Sequence, residues 1–318
     1  MKIVILDAYS VNPGDLSWES IEALGDVVVY DRTKPDEVAV RCKDAEIVLT
    51  NKVKITAEIF DSLPCLKYVG VMATGYDIID LKAATAHGVK VTNVPAYSTD
   101  HVAQMVFAHL LNITDYVDSF ARQNRDGRWT NSADFCYWDK PTHELAAMTM
   151  GIVGLGNIGM KVAGIAMAFG MKVMAYTSKP QEQLPEGIQK ATLGDVLRSA
   201  DVLTLHCPLN EQTRYIINRD SIHLMKSSAI VINTGRGPLV DEADMAEALA
   251  KGRLQAYAAD VMGQEPPAKD NPLMSLPNVF TTPHIAWASQ EARVRLIAQL
   301  AKNIEAFKNG ETLNVVNG

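Results

Sequence analysis

Four short stretches of this 318-residue chain carry the residue types that do chemistry. The first is the glycine-rich run Gly154-Leu155-Gly156-Asn157-Ile158-Gly159. Arg236 lies in Asn233-Thr234-Gly235-Arg236-Gly237, Glu265 in Gly263-Gln264-Glu265-Pro266, and His284 in Thr282-Pro283-His284-Ile285-Ala286. A guanidinium grips a carboxylate through two parallel N–H donors. An imidazole moves a proton near neutral pH, and a neighbouring carboxylate raises its pKa. Together they suit the transfer of a hydride to a small carbonyl compound. The Arg would hold the substrate, the His would protonate the developing alkoxide, and the Glu would tune the His.

Such groups must be held by rigid elements. The glycine run follows an apolar strand candidate, Met150–Val153, and opens a helix with Ile158, Val162, Ile165, Ala166 and Phe169 on one stripe. Gly170 can end that helix, and Lys172–Tyr176 reads as the next strand. This is a complete βαβ unit, the context in which G-x-G-x-x-G signals a dinucleotide. Gly154 permits the tight turn, Gly156 admits a pyrophosphate to the backbone, and Gly159 lets helix and strand pack closely. The helix N-terminus, with Asn157 and Ile158 in its first turn, adds free N–H groups for the anion. NAD binders usually place a carboxylate about 20 residues further on. Here that turn reads Thr177-Ser178-Lys179, two hydroxyls and a cation. This favours NADP, alone or together with NAD.

Arg236, Glu265 and His284 each follow a strand candidate: Ala229–Asn233, Ala256–Val261 and Val279–Thr282. Ligands of open parallel sheets sit beyond the carboxyl ends of the strands, so all three belong on one edge. Val202–His206 completes the second strand series. Lys2–Asp7, Val27–Tyr30, Glu46–Thr50, Tyr68–Met72 and Lys90–Asn93 form a first series. Strands alternating with helices imply an α/β protein with parallel sheets. Between the two series, one long helix is expected from Thr99 or Asp100 to about Arg125, followed by an irregular aromatic stretch over 129–146 with Trp129, Phe135, Tyr137 and Trp138. A last helix is expected from about Ser289 to Asn309.

Composition narrows the function classes. A net charge of −7 without a basic stripe excludes a phosphate-backbone binder such as a nucleic-acid protein. No apolar run is long enough for a bilayer, so no membrane partner is expected. Met1-Lys2 leads directly into a strand candidate rather than a signal peptide. Cys42, Cys65, Cys136 and Cys207 form no C-x-x-C pair, so neither a disulfide framework nor a metal site is expected, and a reducing cytoplasm fits. His87, His101, His109, His143 and His223 read as structural.

These motifs, with His206-Cys207-Pro208-Leu209 and the run Arg236-Gly237-Pro238-Leu239-Val240-Asp241-Glu242, resemble the D-isomer-specific 2-hydroxyacid dehydrogenase family over nearly the whole chain. The likeness is greatest to the glycerate dehydrogenase and hydroxypyruvate reductase branch. The resemblance implies two Rossmann-like domains, one flavodoxin-like and one dinucleotide-binding, with a cleft between them. Residues 1–99 plus 289–318 would bind substrate, and 100–288 would bind NAD(P). It implies that Arg236 binds the carboxylate and carbonyl of a small 2-oxo acid such as hydroxypyruvate or glyoxylate. His284 would be the general acid and base, held protonated by Glu265. Ala73, Thr74 and Gly75 would clasp the substrate carboxylate. Thr99, Val102, Thr234 and Asp260 would surround the nicotinamide, and His206, Pro208 and Thr213 would line the adenosine side. It also implies a homodimer, in which Phe135–Trp138 would reach the partner subunit.

Ala286, Gln104 and Thr177 depart from the family pattern, at positions where Gly, Glu and an acid are common. Glu265 argues against a formate dehydrogenase, which carries Gln there, and no regulatory domain is expected after Gly318, unlike in phosphoglycerate dehydrogenase. A dinucleotide-sensing corepressor of the same family is the non-enzymatic alternative.

Overall fold

The computed structural model describes all 318 residues. The chain divides into two compact units, Met1–Ser98 with Ala288–Gly318, and Thr99–Trp287. The first unit holds β1 (Lys2–Ile5), β2 (Asp26–Val29), β3 (Ile47–Thr50), β4 (Tyr68–Val71) and β5 (Lys90–Thr92) in the order β2-β1-β3-β4-β5. All pairs are parallel. This is the flavodoxin-like order, with its switch point between β1 and β3. β3 and β4 are buried on both faces, which explains why they read as unbroken apolar runs rather than alternating ones.

The second unit holds β6 (Thr149–Val153), β7 (Lys172–Tyr176), β8 (Ile188–Lys190), β9 (Val202–Leu205), β10 (Ile230–Asn233), β11 (Ala256–Ala259) and β12 (Val279–Thr281). Their order is β12-β11-β10-β9-β6-β7-β8, again all parallel. This is the dinucleotide-binding order extended by one strand, with the chain reversing direction across the sheet at β6 and β9. The short edge strand β8 is not visible in the sequence pattern. Only its first residue is buried, so it lacks an apolar run.

Helix Thr99–Asp115 covers this sheet with Ala103, Val106, Phe107, Leu110 and Ile113, a stripe at three- and four-residue spacing. Each of the larger side chains, Val106, Phe107, Leu110 and Ile113, stabilises the fold by about 1.5–3 kcal/mol relative to exposure. The single long helix expected here is in fact two. Tyr116 adopts a left-handed conformation (φ 53°), and a second helix runs Val117–Arg125. The second helix buries no side chain, so the first helix's packing does not extend across the break.

The segment after it is held by its own contacts. The Trp129 indole N–H donates to the Phe135 carbonyl at 2.9 Å, and the Tyr137 hydroxyl donates to Asn124 Oδ1 at 2.5 Å. Arg128 pairs with Asp139 and stacks over the Tyr137 ring. Phe135 and Trp138 are nonetheless 89% and 68% exposed. In the first unit, Ser289 caps helix Gln290–Lys308, and Arg293 on its first turns forms a two-pronged pair with Asp15 at 2.6 and 2.7 Å.

Candidate active site

The glycine run connects β6 to helix Asn157–Ala168. Gly154 has φ 96°, and a Cβ there would collide with the backbone of His206 and Cys207. A Cβ on Gly159 would fall on the Gly154 carbonyl oxygen, so the turn closes only around a glycine. Gly156 differs: its Cβ would meet nothing within 4 Å. Fold geometry therefore demands glycine at 154 and 159, whereas at 156 the space is open on the side where a ligand would approach. Asn157 is exposed at the helix start, while Ile158 packs partly into the core.

Two buried polar atoms beside this edge have no partner within the chain, His206 Nδ1 and Thr234 Oγ1. Buried polar groups are nearly always paired, so these two are where an external ligand would be expected. The other His206 nitrogen meets Thr204 Oγ1 at 2.9 Å. Burial pushes the His206 imidazole down to about 3, so at neutral pH it is uncharged and can offer hydrogen bonding but no positive charge. A dinucleotide fits this set of features: an open glycine, a helix N-terminus and two unsatisfied buried polar atoms along one sheet edge.

The remaining cofactor candidates vary in how free they are. Thr213 closes its own loop, donating to the Pro208 carbonyl at 2.6 Å and accepting from the Asn210 N–H at 2.9 Å. Thr177 Oγ1 accepts from the Lys179 N–H at 3.2 Å, forming a tight turn with Ser178 and Lys179 exposed beyond the end of β7. Thr99 opens helix Thr99–Asp115, and Val102 is buried one turn on.

Arg236, Glu265 and His284 follow β10, β11 and β12, three adjacent strands. Asn233 shapes the first loop: its amide donates to the Arg236 carbonyl at 2.9 Å and its oxygen accepts from the Gly235 N–H at 3.0 Å. Arg236 itself is exposed, and its guanidinium makes one hydrogen bond, to the Gly235 carbonyl at 2.9 Å. It has no carboxylate partner, so most of its donors remain available to a ligand.

Glu265 and His284 meet directly. His284 Nδ1 lies 2.6 Å from Glu265 Oε2, and Glu265 Oε1 accepts the Met262 N–H at 3.0 Å. The carboxylate is thereby oriented from behind. With Nδ1 taken, Nε2 is the ring nitrogen left for a substrate.

His284 sits at φ 55°, an unusual conformation for a residue other than glycine and one that costs about 1–3 kcal/mol. Asp260 holds it there. The His284 N–H donates to the Asp260 carbonyl at 2.8 Å. The Asp260 carboxylate accepts from Thr282 Oγ1 at 2.6 Å and from the Ile285 and Ala286 N–H groups at 2.8 Å each. Asp260 is 2% exposed, and both its oxygens are engaged by the loop. Sequence reading placed Asp260 near the nicotinamide without foreseeing this bracket, since its contacts lie 22 to 26 residues downstream. His101 and His109 also reach this loop: His101 Nδ1 is 2.7 Å from the Ala286 carbonyl, and His109 Nε2 is 3.2 Å from Thr282 Oγ1. No local sequence signal marks them, because they approach from a helix more than 170 residues earlier.

In the first unit, the loop after β4 is pinned at Met72 and Thr74. The Asn51 amide donates to the Met72 carbonyl at 2.6 Å, the Asn93 amide to the Thr74 carbonyl at 2.7 Å, and the Thr74 hydroxyl to the Val94 carbonyl at 2.9 Å. The N–H groups of Ala73, Thr74 and Gly75 make no hydrogen bond within the chain. Ala73 and Gly75 are half-buried and Thr74 is exposed, so these three successive amides are open to an anion.

Residues 107–286 match the family described as D-isomer specific 2-hydroxyacid dehydrogenase, NAD binding domain. The chain is 43% identical over 321 residues to a hydroxypyruvate reductase of Blautia hydrogenotrophica, covering all of both chains. It is 40% identical over 322 residues to a glycerate dehydrogenase of Methylorubrum extorquens, covering 99% of this chain and 98% of the relative. Among solved structures, an acyclic imino acid reductase (Bsp5) in complex with NADPH and D-Arg superposes with a TM-score of 0.85 at 32% identity, covering 99% and 100% of the two chains.

Proposed function

Because this chain belongs to the D-isomer-specific 2-hydroxyacid dehydrogenase family, we propose that it reversibly reduces hydroxypyruvate or glyoxylate to the corresponding 2-hydroxy acid. The chain is an oxidoreductase acting on CH–OH donors and uses a nicotinamide dinucleotide. The observation that carries the catalytic reading is the Glu265–His284 pair on the same sheet edge as the unpaired Arg236.

Gly154, Gly156, Gly159 and the first turn of the following helix would hold the pyrophosphate. His206 and Pro208 would border the adenosine side, and Thr234 the nicotinamide. When bound, the nicotinamide supplies the hydride. Arg236 aligns the substrate through its carboxylate and polarises the carbonyl. In the first unit, taken by itself, the amides of Ala73, Thr74 and Gly75 would bind an anionic group. His284 delivers the proton from Nε2 to the carbonyl oxygen as that oxygen becomes an alkoxide, and withdraws it in the reverse direction. Glu265, hydrogen-bonded at Nδ1, fixes the ring plane and leaves Nε2 as the nitrogen toward the substrate. In this role Asp260 acts by bracing the His284 loop.

We assign NADP, alone or beside NAD, from the hydroxyls and cation of Thr177, Ser178 and Lys179 and the lack of a carboxylate there. Initial rates over a panel of 2-oxo acids with each reduced cofactor test both assignments. Hydroxypyruvate or glyoxylate should give the highest kcat/KM, and NADPH should serve at least as well as NADH. A Kd for NADPH far weaker than for NADH would sink the cofactor assignment and leave the reaction standing. A dinucleotide-sensing role without turnover is not favoured, since relatives matched end to end carry enzyme names.

We also propose a homodimer working in the cytoplasm. Phe135 and Trp138, strongly exposed on a segment that is otherwise tied down, would supply the interface. Light scattering at micromolar concentration should return twice the 34.7 kDa chain mass, and a monomer would refute it. No helix is long and apolar enough to cross a membrane.

A further inference from the structure

The geometry points to His109 as a positioning residue for His284, acting through Thr282 and Asp260; this rests on the reading of His284 as the proton donor. The chain of contacts is directional. Asp260 Oδ1, a carboxylate oxygen, can only accept, so Thr282 donates its hydroxyl proton to it at 2.6 Å. Thr282 Oγ1 is then an acceptor toward His109 Nε2 at 3.2 Å, which fixes that nitrogen as the N–H of the ring. The same Asp260 carboxylate receives the N–H groups of Ile285 and Ala286, and the Asp260 carbonyl receives that of His284. His109 thus stands at the head of a relay that ends on the residue held at positive φ.

Its setting fits this role better than a packing one. His109 is 8% exposed on the buried face of helix Thr99–Asp115, among Val106, Leu110 and Ile113, where an aliphatic side chain would fill the space without desolvating a polar ring. The loop it steadies carries strain, and a strained loop keeps its geometry only while its supports over-determine it. Removing one support lets His284 drift, and small misplacements of a reacting group are costly in rate. The helix also touches the loop through His101 and the Ala286 carbonyl, so His109 governs one attachment and not all of them.

The test uses the intact enzyme with His109→Leu, His109→Gln, Thr282→Val and the double variant His109→Leu/Thr282→Val. Leu keeps the buried volume but cannot donate; Gln places an amide N–H near the position of the imidazole Nε2. His109→Leu should lower kcat by about tenfold, with KM for the 2-oxo acid and Kd for the reduced cofactor within twofold of wild type. The solvent isotope effect on kcat should rise, because proton delivery has become slower. His109→Gln should recover most of the loss. The double variant should be no slower than Thr282→Val alone, since both changes cut one relay. Wild-type kcat in His109→Leu, additive losses in the double variant, or no recovery with Gln would overturn the inference. So would a loss of kcat fully accounted for by a smaller folded fraction, measured by thermal melting of the same samples. His284→Asn separates the two readings. If it is inactive while His109→Leu is unimpaired, the relay fails alone; if it turns over normally, the proton-donor reading fails.

Discussion

Replacing His284 with asparagine should lower kcat by about 100-fold or more, the usual scale of general acid–base catalysis. Asparagine is chosen because residue 284 sits at φ 55°, and Asn tolerates that region better than Ala does. The backbone N–H bonds to Asp260 and Thr282 remain in the variant, so the loop should hold its shape. The melting temperature and the Kd for the reduced cofactor should therefore stay near wild type while turnover collapses. Glu265→Gln should be milder. Its one amide oxygen can accept from the Met262 N–H or from the ring Nδ1–H but not from both, and its NH2 group, which only donates, faces the other. The ring should then be held less firmly, and kcat should fall, but by less than in His284→Asn. Wild-type-like turnover in His284→Asn would remove the residue from its assigned role.

Arg236→Ala should reduce kcat/KM for the 2-oxo acid by about 100- to 10,000-fold, the loss of two charge-assisted hydrogen bonds at about 1.5–3 kcal/mol each. Arg236→Lys should recover only a small part. An ammonium restores the charge, yet it cannot present the planar fork that aligns a carboxylate beside a carbonyl. Stability should change little in either variant. The side chain is exposed and its one bond, to the Gly235 carbonyl, lies within its own loop. Cofactor Kd provides the control: it should be unmoved if Arg236 serves the substrate. Arg236→Lys with wild-type kcat/KM would exclude bidentate binding.

Local sequence determined a large part of this protein. The βαβ unit around Gly154–Gly159 is legible because glycine is demanded by sterics at 154 and 159, and sterics act between near neighbours. The strands are legible because parallel strands buried on both faces must be apolar throughout. Arg236, Glu265 and His284 are legible as candidates because each closes a strand on the edge where ligands bind. Sequence could not show the break at Tyr116, because the apolar stripe continues in pattern after the packing has ended. Nor could it show β8, a strand with one buried residue.

What holds the candidate catalytic residues was decided only by tertiary structure. The Asp260 carboxylate spans to residues 282, 285 and 286, and His101 and His109 arrive from a helix at the far end of the unit's sequence. A hydrogen bond depends on the position of two atoms in space, and no spacing rule connects residues 109 and 282. The types of the reacting groups could be read from the chain; the strained conformation at His284, and the network that keeps it there, exist only once the sheet and its covering helix are assembled.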